Sequence, residues 1–375
     1  MTVTSSIIHF LSSGFILSSG GDEFWLGWGG VSRSTLPVKA DCVAYAPDFF
    51  LRDDQPWWCF EKSEKLNRVA LIRVLEVFLK ETDSQKWDSP QIQWEKPSFP
   101  FFKDRFDELQ TQFRAGILKK AVPVLFEKAE LVVSARLKAE WLLQLLSYSL
   151  QLPVHLYGLW NKEEGILGAT PELLFQIEGR ILQTAALAGT RLKDGSLSSH
   201  LSSLLKDPKE LEEHRIVIEG IASSLSPFGK LQRGKTRELD LPTLVHLFTP
   251  MTLELEGQFQ EQRPDLLFQD VVRHLHPTPA LGAFPRGSGM SWLRDYQNYV
   301  KRYRFGAPFG ALWKSGESRC VVAIRNLQWN SEGVLLGAGC GIISQSQLEK
   351  EWLEIQGKMA SVKKMFGLSF NQVIA

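Results

Sequence analysis

Cysteine is scarce in this chain. Its four residues, Cys42, Cys59, Cys320 and Cys340, form no C-x-x-C pair and have no histidine at zinc-finger spacing, so neither a disulfide framework nor a structural zinc site is indicated. Reduced thiols of a cytoplasmic protein are the expectation. An excess of either charge is missing too: 43 Lys and Arg against 42 Asp and Glu leave a net charge of +1, which gives no broad field for nucleic acid or an anionic membrane surface. No apolar run reaches the roughly 18 residues that a membrane-spanning helix needs. Near the N-terminus, Ile7-Ile8-His9-Phe10-Leu11 and Phe15-Ile16-Leu17 are interrupted by Ser and Gly and preceded by no basic stretch; two short strands are expected there, not a signal peptide. Fixed-period repeats and low-complexity tracts are absent.

Apolar residues, at 44% with 23 Phe and 12 Trp among 375 residues, suffice for a large core. Residues 1–60 are rich in short strands; Lys65 to Lys80 reads as a helix, and the Pro-punctuated stretch from Glu81 to Pro100 suits a connection. Helical spacing over Phe102, Phe106, Leu109 and Phe113 precedes a β-like run at Ala121-Val122-Pro123-Val124-Leu125. A helix from about Ala139 to Leu150, a strand at Val154 to Trp160 and a hairpin from Leu173 to Thr190 follow. Further helices are expected from Asp207, near Met290 to Tyr303, and from Ser346 with Glu349 three residues on. This is an α+β pattern with many hairpins, not a βαβ succession.

The last helix carries the most informative pattern. At about 100° per residue, Leu348, Trp352, Ile355, Met359, Val362 and Phe366 fall on one stripe, with Glu351, Glu354 and Lys358 in a row along its flank. Such a row can reach a cleft, where carboxylates hold a hard cation and an ammonium holds an anion; alone, Glu354 and Lys358 also make an ordinary surface pair. In the helix opened by Asp207, Pro208 and Glu210, Glu213 lies on the flank, nearer the apolar face than Glu212. Glu213 and Glu354 could together hold Mg²⁺, which takes few protein ligands; the plainer reading of each is a solvated glutamate.

Other motifs are open in the same way. Glu172, in Gly168-Ala169-Thr170-Pro171-Glu172, stands beside Leu173-Leu174-Phe175, surroundings that can keep a carboxyl protonated near neutral pH as a general acid; otherwise it is a strand-end acid. Strand alternation sends Lys119 and Lys120 to opposite sides, so one can face inward as a desolvated base, unless both belong to a surface pair. Ala188-Gly189-Thr190-Arg191 has small residues where a ligand can approach the backbone. Prolines stiffen the loop His276-Pro277-Thr278-Pro279-Ala280-Leu281-Gly282-Ala283-Phe284-Pro285 into a binding wall or a plain turn. Arg325 at a strand end can clamp a carboxylate, and Gly337 to Gly341 can offer amides to an anion or simply turn.

Taken in order, these blocks, with Ala186-Leu187-Ala188-Gly189-Thr190, Lys209-Glu210, Glu213-His214, Gly306-Ala307-Pro308-Phe309-Gly310, Ala323-Ile324-Arg325, Gly339-Cys340-Gly341-Ile342 and Glu351-Trp352-Leu353-Glu354, resemble the chorismate-utilising enzymes from about Phe102 to Leu368. Within that family the resemblance is nearest to isochorismate synthases, through the His-Pro-Thr-Pro-Ala loop at 276–280. Ala188 stands where aminodeoxychorismate enzymes place a nucleophilic lysine, and Lys120 where amide-forming members have glutamine.

The resemblance implies one α+β unit with two sheet-containing halves around a central site and helices outside, residues 1–100 being a loosely matched strand-rich part and 101–370 the catalytic region. It implies Lys120 as the base that activates water, Glu172 as the acid, and Glu213 and Glu354 as ligands of Mg²⁺. Gly189, Thr190, His276, Ala280, Arg325, Gly339 and Lys358 would bind chorismate, the last two with Arg325 receiving its enolpyruvyl carboxylate. No glutamine amidotransferase subunit is expected, and a cytoplasmic monomer serving menaquinone synthesis is. Pro123 and Leu125 depart from the family after the base, leaving Lys119 as the fallback, and Asn298 replaces an acid four residues before Arg302. Salicylate synthase and a catalytically inactive chorismate-binding protein are the alternatives.

Overall fold

Sixteen strands form one sheet in this computed structural model, which describes residues 6–82, 92–193 and 203–368. Fifteen of them follow one another in space as Leu231–Arg233, Leu244–Glu254, Ile181–Leu192, Leu173–Glu178, Ser318–Val322, Pro308–Trp313, Cys42–Tyr45, Trp57–Asn67, Glu23–Ser34, Gly14–Gly20, His155–Trp160, Gly165–Thr170, Asn326–Asn330, Gly333–Gly339 and Val124–Ala129. Arg237–Asp240 pairs with Leu244–Glu254 beside them. The two halves expected from sequence are thus continuous through one hydrogen-bonded ladder, and strands from the first 67 residues occupy its middle.

The sheet is curled. Gly14–Gly20 and Pro308–Trp313 are four strands apart, about 19 Å on a flat sheet at the usual spacing. Yet Phe15 and Phe309 stack with centroids 5.9 Å apart, and Tyr157 meets Phe309 at 4.9 Å. Helices Arg68–Glu81, Phe99–Arg114, Ala135–Tyr148 and Leu348–Met365 cover one half around Leu71, Phe102, Trp141 and Met359; Pro208–Leu225 and Pro264–Leu275 cover the other around Val217, Ile221 and Phe268.

Several elements differ from expectation. Ile7–Ser12 is a helix, not a strand: Phe10 and Leu11 are buried while Ile8 is exposed, and the Phe10 carbonyl accepts the Trp160 indole N–H at 2.7 Å. Six residues are too few for periodicity to separate the two states. Pro123 divides the run at 121–125 into Lys120–Ala121 and Val124–Ala129, which join different sheets, because proline has no N–H for a ladder. The helix near 290 spans Arg286–Tyr296. The last helix begins at Leu348 without a side-chain cap, since the Ser346 hydroxyl accepts the Ile343 N–H instead. Of the 81–100 connection, residues 83–91 lie outside the described residues.

Candidate active site

Two crossovers between the halves build the centre of the site. Thr170-Pro171-Glu172 carries the chain from Gly165–Thr170 to Leu173–Glu178, and Ala323-Ile324-Arg325 carries it from Ser318–Val322 to Asn326–Asn330. They are stitched together: the Ala169 N–H donates to the Arg325 carbonyl at 3.2 Å and the Val322 N–H to the Glu172 carbonyl at 3.0 Å. Glu172 is therefore held, nearly fully buried, beside Arg325. Burial pushes its carboxyl up to about 7 against the pull of Lys120, Arg325 and Lys358, so near neutral pH it can give a proton.

Arg325 has φ of +56°, a left-handed conformation uncommon for a residue with a side chain. Its neighbours hold it there. The Tyr157 hydroxyl donates to the Ile324 carbonyl at 2.9 Å, and the Asn326 amide donates to Tyr157 and to the Ala323 carbonyl at 2.8 and 2.7 Å. Removing that hydroxyl, Tyr157→Phe, should cost about 1–2 kcal/mol of stability, measurable by denaturant unfolding.

Lys120 sits in a two-residue strand between Ala283–Phe284 and Ile342–Ile343. Alternation leaves Lys119 exposed and Lys120 fully buried, so the fallback base points to solvent. The Lys120 ammonium lies 3.0 Å from Glu213 Oε1, an ion pair off the alignment of a good hydrogen bond. Glu213 belongs to the helix Pro208–Leu225, whose N-terminus Asp207 caps by accepting from the N–H groups of Lys209 and Glu210. Glu210 does not reach back as in a full capping box; it accepts the Thr190 N–H at 2.8 Å. Burial would raise Glu213, but Lys120 and Lys209 outweigh it and hold the carboxylate ionised. Glu212, one residue away, is paired with Arg215 at the surface.

Gly341 packs against this pair. A Cβ there would stand 2.0 Å from Glu213 Oε1 and 2.7 Å from Lys120 Cε, so Gly341→Ala should separate them. A fall in kcat of about 10²-fold or more is expected, in line with a misplacement of about 1 Å, while circular dichroism stays unchanged.

Lys358 donates to the Gly339 carbonyl at 2.8 Å and pairs with Glu354 at 2.6 Å; Gly339 thus presents a carbonyl to the lysine. Glu172, Thr190, Glu213, Ala280, Arg325, Gly339 and Lys358 line one small cleft together with Gly341 and His246. Lys120 stands directly behind Glu213 and Gly341. Gly189, at φ +78°, forms the bulge beside Thr190, and Glu354 stands behind Lys358. His276 does not face the cleft. It is buried behind the loop, its Nε2 2.6 Å from the Phe49 carbonyl, and burial lowers its pKa to about 4, which keeps it neutral. A larger open groove lined by Trp94, Phe101, Tyr299 and Tyr303 shares none of these residues, so chemistry favours the smaller cleft.

Two contributors have little signature in the sequence. His246, opposite Thr190 across a strand pair, has Nδ1 3.0 Å from the Thr190 hydroxyl and Nε2 3.3 Å from Arg325. Burial holds it neutral, so Nε2 can accept from the guanidinium while Nδ1–H donates to Thr190. Arg302 is buried and donates to the Leu281 and Val122 carbonyls, both on cleft-lining residues. A lone strand histidine carries no spacing that a motif search could find, and Arg302, in the loop after the helix Arg286–Tyr296, is marked only by its place four residues after Asn298.

Comparison with known proteins places this arrangement. The family profile described as chorismate binding enzyme matches residues 59–367. The chain belongs to this family. It is 30% identical over 219 residues to the vibriobactin-specific isochorismate synthase of Vibrio cholerae, covering 57% of this chain and 54% of that one. It is 31% identical over 212 residues to anthranilate synthase component 1 of Acinetobacter calcoaceticus, covering 56% and 42%. The matches thus span about half the length of these curated relatives. The solved structure of MenF, the menaquinone-specific isochorismate synthase of Escherichia coli, has the same fold, with a TM-score of 0.72 and 20% identity over 98% of this chain and 91% of that one.

No metal-ready cluster of three or more His, Cys, Asp and Glu occurs among the described residues. Instead the Lys209 ammonium stands among carboxylates, 3.0 Å from Glu210, 3.1 Å from Glu213 and 3.1 Å from Glu351. Burial raises Glu210 and Glu351, and neighbouring glutamates, Glu354 included, add to the shift. Glu351 Oε2 is buried without a hydrogen bond. An acid-rich cage with an orphaned oxygen fits a divalent cation. Among the described residues, no helix is long and apolar enough to cross a membrane.

Proposed function

We propose that this protein is an isochorismate synthase, which moves the hydroxyl of chorismate from C4 to C2 with Mg²⁺. The observation that carries the reading is a buried, protonatable glutamate in a cleft whose other charged groups include Arg325 and Lys358, with the buried Lys120 directly behind the Glu213 and Gly341 wall of that cleft. Overall identity does not choose among family activities, because an isochorismate synthase and an anthranilate synthase match equally well. Lys120 supports water as the nucleophile, and Ala188 in place of a lysine argues against a covalent route.

As the amine, Lys120 takes a proton from the water that attacks C2. The ring double bonds shift, the C4–O bond breaks, and Glu172 gives its proton to the departing hydroxyl, so one water enters and one leaves. Arg325 and Lys358 receive the enolpyruvyl carboxylate, Arg325 being oriented by His246. Ala280 and Leu281, held by Arg302, form the wall that keeps the ring in place. Glu213 and Glu354 would hold Mg²⁺, which supplies positive charge to the ring carboxylate when bound. Either change, Glu213→Ala or Glu354→Ala, should weaken metal affinity by at least about 10-fold, the lower end even for supporting residues of metal sites; calorimetric titration with Mg²⁺ would detect this.

The deciding assay is incubation with chorismate and Mg²⁺ followed by chromatography. Isochorismate without pyruvate is the expected product; pyruvate with salicylate would identify a salicylate synthase, and no turnover a binding protein.

A further inference from the structure

We infer that Lys209 is a built-in stand-in for the divalent cation: its ammonium fills the carboxylate cage when metal is absent and leaves when metal enters. This rests on the reading of Glu213 and Glu354 as metal ligands. Three carboxylates from two helices converge on one nitrogen, at 3.0 Å for Glu210 and 3.1 Å for both Glu213 and Glu351. So many contacts are more than one surface ion pair requires, and they match what acids brought together for a cation need in its absence. Unpaired buried carboxylates would repel one another and lose their hydration.

The position of Lys209 allows it to leave. It is the second residue of the helix Pro208–Leu225, where Asp207 caps its backbone N–H, so the helix start does not depend on its side chain. The side chain is 18% exposed, against 8% for Glu213 and 3% for Glu351. A four-carbon stem at a helix start can carry its ammonium into water, whereas the buried glutamates stay. Lys120 and Lys358 have other duties, the first inside a strand and the second tied to the Gly339 carbonyl.

Such an occupant lowers apparent metal affinity by the fraction of time it spends outside the cage. If that fraction is one-tenth, the loss is about 10-fold. It also keeps the empty site folded. Lys209→Met retains the length of the side chain without its charge.

The test uses the full chain stripped of metal, with no chorismate present. Mn²⁺ binding followed by electron paramagnetic resonance should be about 10-fold or more tighter in Lys209→Met than in the parent. In the unmodified protein, acetylation read by mass spectrometry should spare Lys209 without Mg²⁺ and reach it with Mg²⁺; this arm needs no variant to fold. Weaker or unchanged Mn²⁺ binding in the variant, or Lys209 labelling that does not respond to Mg²⁺, would show a fixed structural cation and overturn the inference while leaving the metal ligands in place. Failure of both proteins to bind Mn²⁺ would overturn the metal reading together with it.

Discussion

Replacing Lys120 with alanine should lower kcat by about 10²- to 10⁴-fold, the range typical of a lost general base, while chorismate still binds. The separation of the two effects follows from geometry. Arg325 and Lys358, which would hold the substrate carboxylate, are anchored to His246 and Gly339 and not to Lys120. The partner left behind, Glu213, retains Lys209 at 3.1 Å, so the carboxylate is not stranded in the interior. Because breaking a buried ion pair can still cost about 3–5 kcal/mol, Lys120→Gln, which fills the same space, is the companion variant. Stopped assays give kcat and calorimetry gives chorismate affinity. Turnover retained by both variants would place the base elsewhere; affinity lost along with turnover would make Lys120 a binding residue.

Glu172→Gln should be comparably damaging, again by about 10²- to 10⁴-fold, and it carries a second signature. Burial raises the Glu172 carboxyl to about 7, so the acid form prevails below that pH and is lost above it. Activity expressed as kcat/KM, which reports the free enzyme, should therefore decline as pH rises past about 7. The residual activity of the variant should lack this limb. A parent profile flat from pH 6 to 9 would contradict the role of Glu172 as acid, even if the substitution were inactivating.

Much of the architecture is legible in the chain because its cues are local. Asp207 and Pro208 announce a helix that begins where they indicate, and Glu178-Gly179 marks a hairpin whose turn has Gly179 at φ +58°. The apolar stripe of the last helix is buried at Ile355, Met359, Val362 and Phe366. Short apolar segments were not legible: Ile7–Ser12 is helical because Phe10 packs edge-to-face on Trp160 at 5.1 Å, 150 residues away in sequence. Of the candidate site, the charged residues were visible as motifs, whereas His246 and Arg302 act through contacts that no local pattern encodes. His276, conspicuous in its proline-rich loop, is spent on the Phe49 carbonyl.

The chain by itself determined the kinds of groups available, the α+β class and the family, since these depend on composition, on periodicity along single elements and on the order of short motifs. Only the tertiary structure decided that Lys120 and not Lys119 turns inward, that two crossovers of a curled sheet bring Glu172 against Arg325, and that Lys209 sits among three carboxylates. The reason is range. A turn or a helix cap is settled by residues a few positions apart, whereas burial, the pKa of a carboxyl and the balance of charge in a cage depend on groups that meet only after distant strands have paired.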